Sequence, residues 1–266
     1  MPNATRETST TLWRDGRNTG PGSRRIPEEV AIALSYNGTT QAVMMATPLD
    51  LEDYGVGFSL SEGQVSTVDQ IQEIDIAVFD EGIDIRLWVD EATETMLRDR
   101  RRRIAGPTGC GLCGIESLTE ANRPTGRTED DSRFQASALT AAQHAMYNHQ
   151  KLNAETRAVH AAGLWRPDQG LVRVREDVGR HNALDKLVGA TARAGESGAG
   201  GVVLLTSRVS VEMVQKSAVL GAAAIVAVSA PTALAVRTAD AAGITLVALA
   251  RDDGFEVFSH SHRIVQ

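Results

Sequence analysis

Apolar residues change their spacing partway along the chain. From Ile26 to Ser35 (IPEEVAIALS) they alternate weakly, as in a strand, and Gln41 to Ala46 reads as its partner across the hairpin signal Asn37-Gly38. Pro48 to Glu62 carries Leu49, Leu51, Val56, Phe58 and Leu60 at partly helical spacing and predicts a helix. A second hairpin is predicted from Glu73 to Val78 and Ile83 to Trp88, around Asp80-Glu81-Gly82, followed by a charged helix over 91–104. The polar stretch from Asn122 to Arg133, with Pro124 and Gly126, reads as a linker.

Beyond it the rhythm becomes strand and helix in turn. Helices are predicted over 136–148, 182–194, 211–220 and 232–242, the last stopped by Gly243. Strands are predicted at 171–174, 202–206, 225–228, 245–250 and 256–258. Such alternation predicts a parallel or mixed α/β sheet flanked by helices, with ligands at the carboxyl ends of its strands. The expected organisation is a disordered polar tail over 1–25, an N-terminal α+β region over 26–125 that contains the hairpins, and an α/β region over 126–266.

Composition narrows the class. Hydrophobic residues make up 42% and charged residues 23%, as in a globular protein with a sizeable core. A net charge of -7 argues against broad nucleic-acid binding. The run Arg98 to Arg103 is a local basic exception, suited to a solvated helix face or to an acidic or phosphate-bearing partner. Ser217 to Val236 carries no charge, but its alanines and the interrupting Gly221, Ser229 and Pro231 fit buried α/β elements better than a membrane span. The polar N-terminus does not read as a signal peptide, and two cysteines three residues apart do not read as a disulfide scaffold. A cytoplasmic location is therefore expected.

Those cysteines, Cys110 and Cys113, stand in GPTGCGLCGIESL. The spacing suits a redox dithiol, half of a zinc site, a sulfur-carrying thiol with a neighbour, or two inert buried thiols. Zinc would need two more ligands, and the histidines offer no paired spacing beyond His260-x-His262, so no metal is expected. Gly109, Gly111 and Gly114 predict a mobile, exposed loop, which favours a thiol that visits partners. A second cluster lies in VREDVGRHNALDKLVG, where Asp177, Arg180 and His181 gather at a strand-to-helix turn. They suit contact with phosphate, purine or a reacting thiol, with Asn182 as a helix cap; a capped helix start with solvated charges is the plainer alternative. Ser207 and Arg208 follow a strand end and could meet phosphate beside a helix N-terminus.

These stretches, with SRVSVEMVQKSAVLGAAAIVAVSAPTALAV and the terminal FEVFSH, resemble the FdhD family, the sulfur-carrier accessory proteins of formate dehydrogenase, over roughly Ile26 to Arg263. The resemblance implies a cytidine-deaminase-like fold without zinc chemistry; the deaminase H-x-E motif is absent here. It implies a homodimer that takes sulfane sulfur from a cysteine desulfurase. The sulfur passes to the molybdenum (or tungsten) bis-pterin guanine dinucleotide cofactor, which then serves formate dehydrogenase. By the same resemblance the carrier thiol maps onto Cys110. Cofactor binding maps onto Phe255, Glu256, Val257, Phe258, Ser259 and His260, which were expected to converge with Asp177, Arg180, His181, Ser207 and Arg208. Two other classes stay open: a guanine-nucleotide-binding scaffold with a C-x-x-C redox switch, and a hydrolytic deaminase.

Overall fold

The computed structural model describes residues 1–104 and 126–266. Cys110, Cys113 and the glycines around them lie outside the described residues.

The N-terminal half is built on a four-stranded sheet of β3 (Val30–Tyr36), β4 (Thr39–Ala46), β5 (Ile71–Phe79) and β6 (Gly82–Val89), in the order β4-β3-β6-β5. Both predicted hairpins are present, and β3 pairs parallel to β6. Alternation sets one face: Ile32, Leu34, Ile83, Ile85 and Leu87 point into a core shared with Leu51, Tyr54 and Phe58 of α1 (Leu51–Ser61) and Leu97 of α2 (Glu91–Ile104).

The second half has a six-stranded sheet in the order β13-β12-β11-β10-β8-β9. Its middle strands β10 (Val202–Leu205), β11 (Ala224–Ala227) and β12 (Thr245–Arg251) are parallel. The hairpin of β8 (His160–Arg166) and β9 (Gly170–Asp177) adds antiparallel to β10, and β13 (Gly254–Val257) runs back along β12. Helices α5 (Arg180–Arg193), α6 (Val211–Leu220) and α7 (Ala233–Ala241) bury Leu184, Leu187, Val214 and Ala235 against one face. On the other face lie α3 (Ala136–Tyr147) and a small parallel pair, β7 (Phe134–Gln135) with β14 (Ile264–Val265). This is the expected mixed α/β architecture with helices on both faces. The uncharged stretch 217–236 is divided among α6, β11 and α7, each of which contributes side chains to the core. Among the described residues, no helix is long and apolar enough to cross a membrane.

The halves are joined where α1 crosses α5 at backbone contact. A Cβ on Gly57 would lie 1.7 Å from the Asp185 carbonyl oxygen, and one on Gly189 would lie 1.9 Å from that of Asp53. Glycine is required at both positions because the main chains leave no room for a side chain.

Two expectations need correction. Residues 1–25 were expected to be a disordered tail; instead β1 (Thr5–Arg14) and β2 (Arg17–Pro27) form an antiparallel hairpin. Its turn is Asp15-Gly16, both at positive φ (49° and 75°), which suits a tight two-residue turn, and the threonines of TSTTLW favour extended backbone. Polarity alone had pointed to disorder. The strand at His160–Arg166 was also unforeseen, because HAAGLWR contains no β-branched residue and shows no alternation.

Candidate functional site

β9, β10 and β11 all end at one rim of the six-stranded sheet, and each is followed by the start of a helix. α5 begins after Gly179, α6 after Ser210, and α7 after Thr232, whose side chain accepts from the Ala235 amide at 3.1 Å. Three helix N-termini therefore face the same rim, an environment that favours anions. Val209 and Pro231 continue the parallel pairing past the strand ends and bring the two loops together.

α5 starts at Arg180, two residues before the predicted start. That puts Arg180 and His181 in its first turn, while Asn182, expected as a cap, is buried. Among the described residues, Arg180 Nε and His181 Nε2 are both shut off from solvent without a hydrogen-bond partner. His160, across the β8–β9 ladder from Asp177, lies at the same rim. Burial holds both imidazoles below their ordinary range, and the Arg180 guanidinium depresses them further. Both are neutral at pH 7 and so can accept a proton. Glu212, in the first turn of α6, is held low first by the Ser210 hydroxyl, with help from the Arg180 guanidinium. It supplies the carboxylate of the rim.

Asp177 does not share this open position. It is fully buried, and its carboxylate accepts from the Thr47 amide (3.0 Å), the Gly179 amide (2.8 Å), Asn182 Nδ2 (3.0 Å) and Lys186 Nζ (2.6 Å). Lys186 also donates to the Thr47 carbonyl (2.9 Å) and lies over the Tyr54 ring. Tyr54 donates to Asn182 Oδ1 (3.1 Å), and Asn182 Nδ2 also donates to the Met45 carbonyl. The expected ligand contact from Asp177 is corrected accordingly: its acceptor sites are occupied by protein donors, and it acts by holding the start of α5 against the segment after β4.

A second buried knot stands beside it. Lys216 of α6 donates to Asp185 of α5 (2.8 Å) and to Glu62 at the end of α1 (2.7 Å). Those two carboxylates keep Lys216 protonated in spite of burial, which by itself favours the neutral amine. Arg100 of α2 donates to the Glu62 carbonyl at 3.2 Å, so α2 leads toward residue 105 from this side of the rim. Sequence reasoning missed Thr47, Tyr54, Glu62, Asp185 and Lys216, and noted Lys186 one turn beyond Asn182 without giving it a role. The available signal was a lysine and an aspartate inside the apolar run NALDKLVG, where surrounding Ala and Leu must be buried.

The other expected residues separate. Ser207 is buried and donates to the Arg208 carbonyl, while the Arg208 side chain is exposed at the rim. Phe255 and Glu256 line an open depression of about 410 Å³ with Leu249, Arg251 and Asp253, at the carboxyl end of β12. The rest of that run moves away, because β13 is antiparallel to β12. Val257 pairs with Val247, and Phe258 packs on the helix-side core. Ser259 is buried between the Leu246 amide and the Ile244 carbonyl. His260, at φ 49°, reaches the Asp240 carbonyl at 3.0 Å. Ser259 and His260 therefore lie at the amino end of β12, about 20 Å of strand from Arg251. Phe255 and Glu256 thus stand at the carboxyl end of β12, and the expected convergence is corrected for Ser259 and His260, which stand at its amino end. Among the described residues, no three His, Cys, Asp or Glu side chains gather as a metal site.

A mixed α/β protein with three helix N-termini and two neutral imidazoles at one rim, and a C-x-x-C segment in its sequence, is the class defined so far. Comparison with known proteins gives the family: the FdhD/NarQ profile matches residues 27–265, and the chain belongs to that family. A protein of Agrobacterium fabrum called "Sulfur carrier protein FdhD" is 51% identical over 261 residues, 98% of this chain and 96% of that protein. One of the same description from Brucella abortus is 54% identical over 92% of this chain and 91% of its own. The crystal structure of a "putative formate dehydrogenase accessory protein" from Desulfotalea psychrophila superposes with a TM-score of 0.75, at 24% identity, over 99% of this chain and 100% of the other. That superposition supports the fold.

Proposed function

We propose that this protein is a sulfur carrier for formate dehydrogenase. The observation that carries the reading is the match over nearly the whole chain to proteins named sulfur carriers, at about half identity, in a chain with only two cysteines. In this reading the Cys110 thiolate attacks the outer sulfur of a persulfide on a cysteine desulfurase. A new S–S bond forms on Cys110, the donor's S–S bond breaks, and the donor departs as a thiolate. The outer sulfur then passes to the metal of a molybdenum (or tungsten) bis-pterin guanine dinucleotide. The metal supplies the two electrons that make the sulfur a sulfide ligand, and Cys110 is left as a thiolate. That cofactor is cargo, destined for the formate dehydrogenase apo-enzyme, and Cys113 protects or assists. The whole sequence belongs to the cytoplasm.

The rim supports cargo binding. Arg180, Arg208 and three helix N-termini suit a diphosphate, and neutral His160 and His181 can accept the proton of a thiol or hydrosulfide. Two nucleotides in one cargo fit a homodimer that offers a rim from each copy.

The deciding experiment is intact-mass measurement after incubation with a cysteine desulfurase and cysteine. A reductant-labile gain of one sulfur atom is expected for the wild type and not for Cys110→Ala, which should also fail to yield active formate dehydrogenase. Absence of that gain would leave the guanine-nucleotide scaffold with a redox switch as the better reading. GDP should bind more tightly than ADP in calorimetry, and Arg180→Ala should weaken it about tenfold, the loss of one charge-assisted bond. Equal affinity for the two nucleotides, or no effect of changing both Arg180 and Arg208, would remove this pocket from the proposal.

A further inference from the structure

The N-terminal hairpin is a strand pair without a sheet. Among the described residues, β1 and β2 pair only with each other. Arg24 donates to the Thr156 carbonyl, and Arg25 pairs with Glu155, both on α4 (Lys151–Thr156); Arg6 reaches Glu28. These contacts lie in the base of the arm. Among the described residues, no hydrogen bond or ion pair joins Ser9 to Gly22 to the body, and ten extended residues reach about 30 Å. A lone two-stranded hairpin is at best marginally stable in water. Its tip nevertheless presents Trp13, 65% exposed, between Leu12 and the arginines Arg14 and Arg17. The family profile begins at residue 27, the last residue of the arm, whereas the match to the Agrobacterium fabrum protein extends over 98% of the chain and so takes in most of it.

The body has an uncovered surface of matching chemistry. The outer face of the four-stranded sheet carries Val43 (61% exposed), Met45 (51%) and Phe79 (51%). Arg86 on that face is already neutralised by Asp75 and Asp84 and lies 5.6 Å from the Phe79 ring centre. Beside Phe79 the turn adds Asp80 and Glu81. Between Thr5 and Pro27 the arm has five arginines against two acids, a net +3; the whole chain is -7, so the rest carries -10. A basic aromatic tip and an acidic apolar face thus occur on the same chain, each uncovered by any other described residue.

We propose that the two meet between copies: the β1–β2 arm of one chain docks its Trp13 tip, with Arg14 and Arg17, on the Val43–Met45–Phe79 face of a second copy, beside Asp80 and Glu81. A twofold arrangement lets each copy give an arm and receive one. The inference stands apart from sulfur chemistry, because its test reads only association.

The test uses two full-length variants in sedimentation velocity, with circular dichroism to confirm folding. One is Arg14→Glu with Arg17→Glu; the other is Asp80→Arg with Glu81→Arg. Each alone faces like charge with like charge and should dimerise at least tenfold more weakly than the wild type. Mixed together, they restore opposite charges at both contacts and should form a heterodimer of near wild-type affinity at low salt. Trp13→Ala, which leaves charge unchanged, should also weaken the dimer. A monomeric wild type, variants that dimerise normally alone, or a mixture no tighter than its components would each overturn the proposal.

Discussion

Replacing Lys186 with methionine tests whether the knot around Asp177 holds the site in place. Methionine keeps most of the side-chain volume and removes the charge, so packing changes little. What disappears is the 2.6 Å contact to Asp177 Oδ2 and the 2.9 Å bond to the Thr47 carbonyl. Asp177 is left as a fully buried carboxylate with three N–H donors and no cation, and the Thr47 carbonyl loses its donor. Removing one member of a buried pair costs about 3–5 kcal/mol, because the survivor is left charged and uncompensated. That is a large part of the ~5–15 kcal/mol by which a domain is stable. Urea unfolding of the variant should show a loss in this range, about a thousandfold in the unfolding equilibrium. Adding Asp177→Asn removes the stranded charge and should recover about half of the loss or more, a non-additivity expected of groups in direct contact. A loss below about 1 kcal/mol, the range of solvent-exposed ion pairs, would refute the reasoning. It would mean that water or a compensating proton reaches Asp177.

Gly57→Ala should destabilise by at least the ~1–3 kcal/mol of an overpacked core, because the added carbon meets backbone and not a side chain that can turn aside; thermal unfolding of this variant and of Gly189→Ala measures it. Acid should weaken the fold through His160 and His181. Both are held below the ordinary value of about 6.5, so as pH falls through that value the unfolded chain takes up protons first. Stability present above pH 7 is then lost toward the lower folded-state values. His160→Gln and His181→Gln should each flatten the urea midpoint between pH 7 and 5, and an unchanged slope in both would contradict the assignment. Purified protein should contain no stoichiometric zinc by elemental analysis; one zinc per chain, lost when both cysteines are changed, would count against the carrier reading.

Most of the α/β core was legible because its signal is local. VVLLT after the glycine-rich turn GESGAGG reads as a buried strand, and Gly243 follows the end of α7 as the sequence suggests. The rim was half legible. Arg180 and His181 announce themselves beside a glycine, but Lys186 and Lys216 look like surface charges until the helices that bury them are placed. Their partners, Asp177 with Thr47 and Asp185 with Glu62, lie far away in sequence, and no periodicity encodes that pairing. His260 failed for the opposite reason. Adjacency to Phe255 suggested a common site, yet five residues along an antiparallel strand carry a side chain to the other end of the sheet. The hairpin was missed because an arm that meets little of its own body has no hydrophobic face to display.

The α1–α5 crossing has a consequence for what counts as one piece of this protein. The chain changes halves once, through residues 105–125, but the halves also meet at two glycines, at the bonds of Thr47 to Asp177 and Lys186, and at the Lys216 bridge to Glu62. Covalent continuity and mechanical unity are therefore separate properties here. A chain cut between residues 105 and 125 has two fragments that still share the α1–α5 crossing and its buried bonds, so they should stay associated and migrate together under native conditions. Expressed apart, each should expose a glycine-notched helix that fits only the other.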